Sequence, residues 1–158
     1  MNICFFHGLE SAGPGRKAQH LLRLGWTLYA PHINYRDPQS VKLVWEEAIS
    51  QERSAFVGSS MGGWMSILIA SHTGSPTWVV NPAVTGRSID VDFPGSLGPH
   101  RPHVHALFGR KDDVIDPEQS IRWFEKAGFS YTDTWMDESH RVSTPSFADW
   151  IKAIQVQM

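Results

Sequence analysis

Short apolar runs alternate with helically spaced stretches along the whole chain, and that alternation constrains the fold more than any other feature of the sequence. The run Ile3 to Phe6 is closed by Gly8, and Arg16 to Leu24 then places Ala18, Leu21 and Leu22 at helical spacing. Thr27 to Ala30 reads as a second strand ended by Pro31. Val41 to Ser50 reads as a second helix, with Val41, Val44, Trp45 and Ala48 on one face and Ser40, after Pro38, as its cap. Ala55 to Val57 leads into Gly58 as a third strand, Met61 to Ser71 follows as a helix, and Trp78 to Val80 is a fourth strand stopped by Asn81 and Pro82. Val104 to Phe108 is a fifth strand. Pro117 opens a helix running to about Lys126 behind Asp116 as N-cap, Tyr131 to Trp135 is the last strand, and Phe147 to Ile154 is a closing amphipathic helix.

Six strands alternating with five or six helices predict an α/β chain with a mostly parallel six-stranded sheet and helices on both faces. Right-handed crossovers return the chain to the same edge of the sheet each time. Ligand chemistry then belongs at the carboxyl ends of the strands.

The 158 residues suit a single domain, 1–158. The one long irregular stretch, Pro82 to Pro102, is too short for a separate cap and reads as a surface loop bordering a site. With 14 Lys and Arg against 16 Asp and Glu, the formal charge of -2 points to neither a nucleic acid nor an anionic membrane as partner. Cys4 is the only cysteine, cannot form an internal disulfide and sits in an apolar run, which fits a reducing cytoplasm. Met1 to Phe6 lacks the length and basic leader of a signal peptide, and no stretch reaches the ~20 apolar residues of a membrane span.

Gly58, Ser59, Ser60, Met61 and Gly62 spell G-x-S-x-G at the junction of a predicted strand and a predicted helix. By composition the pattern arises by chance in roughly one such chain in ten, so its position matters more than its letters. A nucleophilic serine needs a sharp turn that exposes its hydroxyl, and flanking glycines let strand and helix approach without Cβ clashes. Only Ser60 has glycine two residues away on both sides; Ser59 reads as a small residue packed in the turn.

After such a serine the acid comes next along the chain and the histidine last. Of eight histidines only His140 follows the candidate acids, and it stands between the last strand and the last helix, where an imidazole would take the serine proton. The turn after the fifth strand offers Asp112, Asp113 and Asp116. Asp112 is favoured as the first acid beyond the turn, while Asp116 precedes Pro117 and suits a cap. Asp137, Glu138, Glu46, Glu47 and Glu52 read as solvated charges.

Acyl transfer also needs two donors for the developing oxyanion. The Met61 N–H, just after the nucleophile, is one, and the Leu9 N–H, in the loop His7, Gly8, Leu9, is the other, with Gly8 letting the backbone turn and His7 hydrogen-bonding within the loop. No phosphate-loop or dinucleotide fingerprint follows a strand, and His100, His103 and His105 lack carboxylate or cysteine company for a metal.

Four segments together resemble the short, lidless YqiA-like esterases of the α/β-hydrolase superfamily, over nearly the whole chain. They are His7 to Ser11 with Pro14 and Lys17, the elbow Gly58 to Gly63, the run Asn81, Pro82, Ala83, Val84, and the turn Gly109 to Asp116 followed by His140. The resemblance implies a minimal α/β-hydrolase fold, esterase activity, and Ser60, Asp112 and His140 as nucleophile, acid and base. It raises Asp112 over Asp113, because the family's acid follows its glycine by three residues, as Asp112 follows Gly109.

The expected protein is a serine hydrolase that cleaves small carboxylic esters through an acyl-serine, without metal or organic cofactor, in an open cleft lined by Leu9, Trp64, Val84 and Val114. Thioester hydrolysis by the same mechanism, or ligand or partner binding with little turnover, are the alternatives.

Overall fold

The computed structural model describes residues 1–11, 13 and 15–157; Pro14, one of the residues carrying the resemblance, lies outside them. The elements run β1 (Asn2–Phe6), α1 (Gly15–Arg23), β2 (Thr27–Tyr29), α2 (Pro38–Ile49), β3 (Ala55–Ser59), α3 (Met61–Thr73), β4 (Thr77–Val80), β5 (Val104–Gly109), α4 (Pro117–Ala127), β6 (Tyr131–Met136) and α5 (Thr144–Gln157). The six strands form one sheet in the order β2-β1-β3-β4-β5-β6, and every neighbouring pair is parallel.

Alternate strand residues supply the two faces. Ile3 and Phe5 of β1 pack with Ala18 and Leu21 of α1 and with Phe147, Trp150, Ile151 and Ile154 of α5. Cys4 and Phe6 turn the other way, against Val41, Val44 and Trp45 of α2 and Met65, Leu68 and Ile69 of α3. Farther along that face, Val79, Val104, Ala106 and Phe108 pack on Ile67 of α3 and Phe124 of α4. α3 is buried on nearly every side, which is why its sequence shows no polar phase.

Helix α2 begins earlier than expected. Its N-cap is Asp37, whose carboxylate accepts from Gln39 N at 3.0 Å, and Pro38 fills the first turn. Ser40 is therefore not the cap: its Oγ accepts from Asn34 N at 3.1 Å in the preceding loop. A proline with φ already preset for helix moves the start ahead of the apolar stripe. For α4 the expected cap holds, with Asp116 accepting from Glu118 N at 3.0 Å.

The chain steps outward from β1 to β2 and then returns to the other side of β1 to lay down β3. This reversal opens a crevice beyond the carboxyl ends of β1 and β3, where an open α/β sheet places its ligand. No helix among the described residues is long and apolar enough to cross a membrane.

Candidate active site

Ser60 sits between β3 and α3 with φ 55° and ψ −115°, a conformation that costs a non-glycine residue about 1–3 kcal/mol. Its own backbone bonds hold it there. Ser60 N donates to Val80 O at 2.9 Å, and Ser60 O accepts from Trp64 N at 3.1 Å and Ala83 N at 2.9 Å. The flanking glycines are required by packing rather than by φ. A Cβ on Gly58 would collide with the Gly62 carbonyl, and one on Gly62 with the carbonyls of Phe6 and His7.

From this turn a hydrogen-bonded line leads to Asp112. Ser60 Oγ lies 2.8 Å from His140 Nε2, and His140 Nδ1 lies 2.8 Å from Asp112 Oδ2. With its proton on Nδ1, the imidazole donates to the carboxylate and accepts from the serine hydroxyl. Asp112 Oδ1 accepts from Val114 N and Ile115 N, each at 2.9 Å, and the side chain is fully buried while that of His140 is 17% exposed. Asp113 is exposed and Asp116 is engaged as a cap, so neither shares this line.

The loops bearing Asp112 and His140 are laced together. Arg110 N donates to Met136 O at 2.8 Å and Lys111 N to Glu138 O at 3.0 Å, and a Cβ on Gly109 would strike the carbonyls of Glu138 and Ser139. Asn81 completes the lacing, a part not read from the sequence, where it marked a strand end and opened the run Asn81 to Val84. At φ 42°, it donates from Nδ2 to His140 O at 2.8 Å and accepts at Oδ1 from Gly109 N at 2.9 Å.

Beyond β1, His7 is buried, accepts from Ile33 N at Nε2 (2.8 Å) and therefore carries its proton on Nδ1, which donates to Gly8 O at 2.7 Å. Burial pushes its pKa below the ordinary histidine value, against the pull of the Gly8 carbonyl. Gly8 O also accepts from Ser11 N at 3.2 Å. In a trans peptide the N–H points opposite to the C=O, so these two bonds turn the Leu9 N–H away from His7 and Ser11. A Cβ on Gly8 would lie 3.6 Å from Ser60 Cβ, which sets this peptide beside the serine; Gly8 itself has no positive φ, so its expected role in turning the backbone gives way to proximity. Met61, the first residue of α3, has an N–H without an intrahelical partner.

A cleft of about 480 Å³ joins Ser60 and His140 with Leu9, Val114 and Ala83. Two expected lining residues are elsewhere. Val84 is buried in the core against Ile67 and Phe108. Trp64 packs edge-on to Trp123 at 5.2 Å and lies under the Arg87 guanidinium. Because α3 is enclosed, its apolar residues did not reveal which one faced a cleft. The cleft holds instead Arg16, Lys17, Arg87 and Arg141.

His103 bonds Ser130 Oγ and Thr132 Oγ1, at 3.0 and 2.7 Å. Among the described residues no group of three His, Cys, Asp or Glu side chains is arranged to hold a metal. Cys4 is buried, which pushes its thiol pKa up to about 12.

No family model and no curated protein matches the chain. Solved structures do. A protein from Xanthomonas campestris pv. campestris assigned to the alpha/beta hydrolase superfamily superposes with a TM-score of 0.73 at 16% identity, over 99% of this chain and 99% of that one. Est1E from Butyrivibrio proteoclasticus gives 0.68 at 14% identity, over 99% of this chain and 87% of that one. A CE1 ferulic acid esterase from Anaeromyces mucronatus, solved with ferulic acid, gives 0.63 at 15% identity, over 95% and 76%. The chain has an alpha/beta-hydrolase-like fold.

Proposed function

We propose that this protein is a serine hydrolase that cleaves carboxylic esters through an acyl-serine intermediate, with Ser60, His140 and Asp112 as its catalytic triad. The observation that carries this reading is the pair of 2.8 Å bonds joining Asp112, His140 and Ser60 on a strained strand-to-helix turn. The resemblance to YqiA-like esterases and the esterases among the structural neighbours support it. Residues 1–158 are read as one domain with no separate cap.

Ser60 Oγ attacks the ester carbonyl while its proton passes to His140 Nε2, and the oxyanion that forms takes hydrogen bonds from the N–H groups of Met61 and Leu9. His140 then gives the proton to the leaving alkoxide, and the alcohol departs from acyl-Ser60. Water attacks the acyl carbon, its proton goes to His140 and from there to Ser60 Oγ, and the carboxylic acid leaves. Asp112 holds the Nδ1–H tautomer and stabilises the imidazolium at each stage.

A panel of p-nitrophenyl esters tests the reading against a binding role. Catalytic release of nitrophenol, lost in Ser60→Ala, supports a hydrolase; stoichiometric binding without turnover contradicts it.

A further inference from the structure

We propose that the substrate of this site, if the hydrolase reading above holds, is an ester that carries a separate oxyanion, recognised by the cationic rim of the cleft. The chain as a whole is slightly acidic, at -2. Its cleft inverts that balance. Arg16 and Lys17 come from the first turn of α1, Arg87 from the segment between β4 and β5, and Arg141 from the residue after His140, so four cations from three parts of the chain line one cavity with Ser60.

Against them the cleft wall carries Glu10, which turns to Arg36 at 3.5 Å, while the Asp112 carboxylate is occupied by His140 and two backbone N–H groups. Among the described residues none of the four cations forms a salt bridge. The first turn of α1 has no acidic side chain, so the positive end of its dipole adds to the same field.

Arg87 is held as a fixed arm. Its guanidinium lies 4.7 Å over the Trp64 ring, and Nη1 donates to Ala83 O at 3.0 Å and Val84 O at 2.7 Å. Its remaining donors are already oriented, so little side-chain entropy is lost on meeting a planar oxyanion. Lys17 is half-buried, which lowers its pKa against the pull of Glu138; that carboxylate accepts at Oε1 from Ser143 N at 3.1 Å and makes no salt bridge with Lys17. Lys17 and Arg87 are partly buried, and among the described residues neither is in a salt bridge, Glu138 and Asp90 acting on them only from farther off. Such cations beside Ser60 gain most from an anion that arrives with the substrate, while Arg16 and Arg141 are exposed and add to the field. A cleft of about 480 Å³ takes a small molecule that spans both groups.

The test compares kcat/KM for mono-4-nitrophenyl adipate, which is anionic, with its neutral methyl ester, after subtraction of spontaneous hydrolysis. The expected preference for the anion is roughly 10-fold at low salt, about the value of one partly screened charge pair, and it falls towards one in ~1 M salt, where the screening length is ~3 Å. The ratio also falls towards one in Arg16→Gln/Lys17→Gln/Arg87→Gln/Arg141→Gln. Turnover of the methyl ester with no anion preference at low salt overturns the inference and leaves the hydrolase reading standing. A preference unchanged in the quadruple variant overturns the cationic rim as its source. No turnover of either ester overturns both readings.

Discussion

Asn81 holds the backbone of His140 from the end of β4, two strands away from β6: Nδ2 donates to His140 O at 2.8 Å while Oδ1 accepts from Gly109 N at 2.9 Å. The imidazole is thus fixed at its ring by Asp112 and at its main chain by Asn81. Gly109 starts the acid turn, so one side chain sets the spacing of both loops.

Asn81→Ala should therefore lower kcat by roughly 10²-fold with KM little changed, because small misplacements of a catalytic group are costly. It should also cost about 1–3 kcal/mol of stability for stranding the Gly109 N–H. Asn81→Asp keeps the acceptor but loses the donor to His140 O, so it should fall between the two in kcat. Denaturant melts separate the effects; a loss of stability with kcat intact would leave Asn81 a purely structural residue.

The acid is tested by three substitutions at one pH. Asp112→Asn should cut kcat by up to ~10⁴, since an amide favours the wrong imidazole tautomer. Asp113→Asn, on an exposed side chain, should change little. Asp116→Asn should also be mild, because asparagine caps a helix about as well as aspartate. Circular dichroism confirms folding of each variant; a large loss confined to Asp113→Asn would shift the acid by one residue.

His7 gives the fold a pH dependence whose sign follows from its burial. Its pKa is lowered in the folded protein, so below the ordinary ~6.5 the unfolded chain takes up a proton that the folded chain refuses. This stability is fully present above about 6.5 and is lost as pH falls through the lowered folded value. His105 is lowered by burial as well and adds to the same slope. His7→Gln keeps an acceptor for Ile33 N–H without titrating, so urea unfolding at several pH values should show a shallower slope for the variant. An unchanged slope would remove His7 from the account.

Much of this architecture was legible because each strand is short, apolar and closed by a turn residue, and because G-x-S-x-G fell on a strand-helix junction. The start of α2 was not, since Asp37 and Ser40 are both cap-type residues and only the placement of Pro38 in the helix decides between them. The cleft wall was misread for a different reason. α3 is enclosed on nearly all sides, so no periodic signal separates Trp64, turned to Trp123, from a residue facing Ser60. Arg87 lies in an irregular segment where spacing carries no direction, and the role of Asn81 depends on a contact between residues 59 positions apart.

The most direct test of the central claim is reaction with a fluorophosphonate, followed by intact mass and peptide mapping. An activated serine attacks phosphorus and an ordinary one does not. The account predicts one equivalent of adduct on Ser60, none in Ser60→Ala, and much slower labelling in His140→Ala. Labelling that survives Ser60→Ala, or a folded wild-type protein that takes up no label, would contradict it.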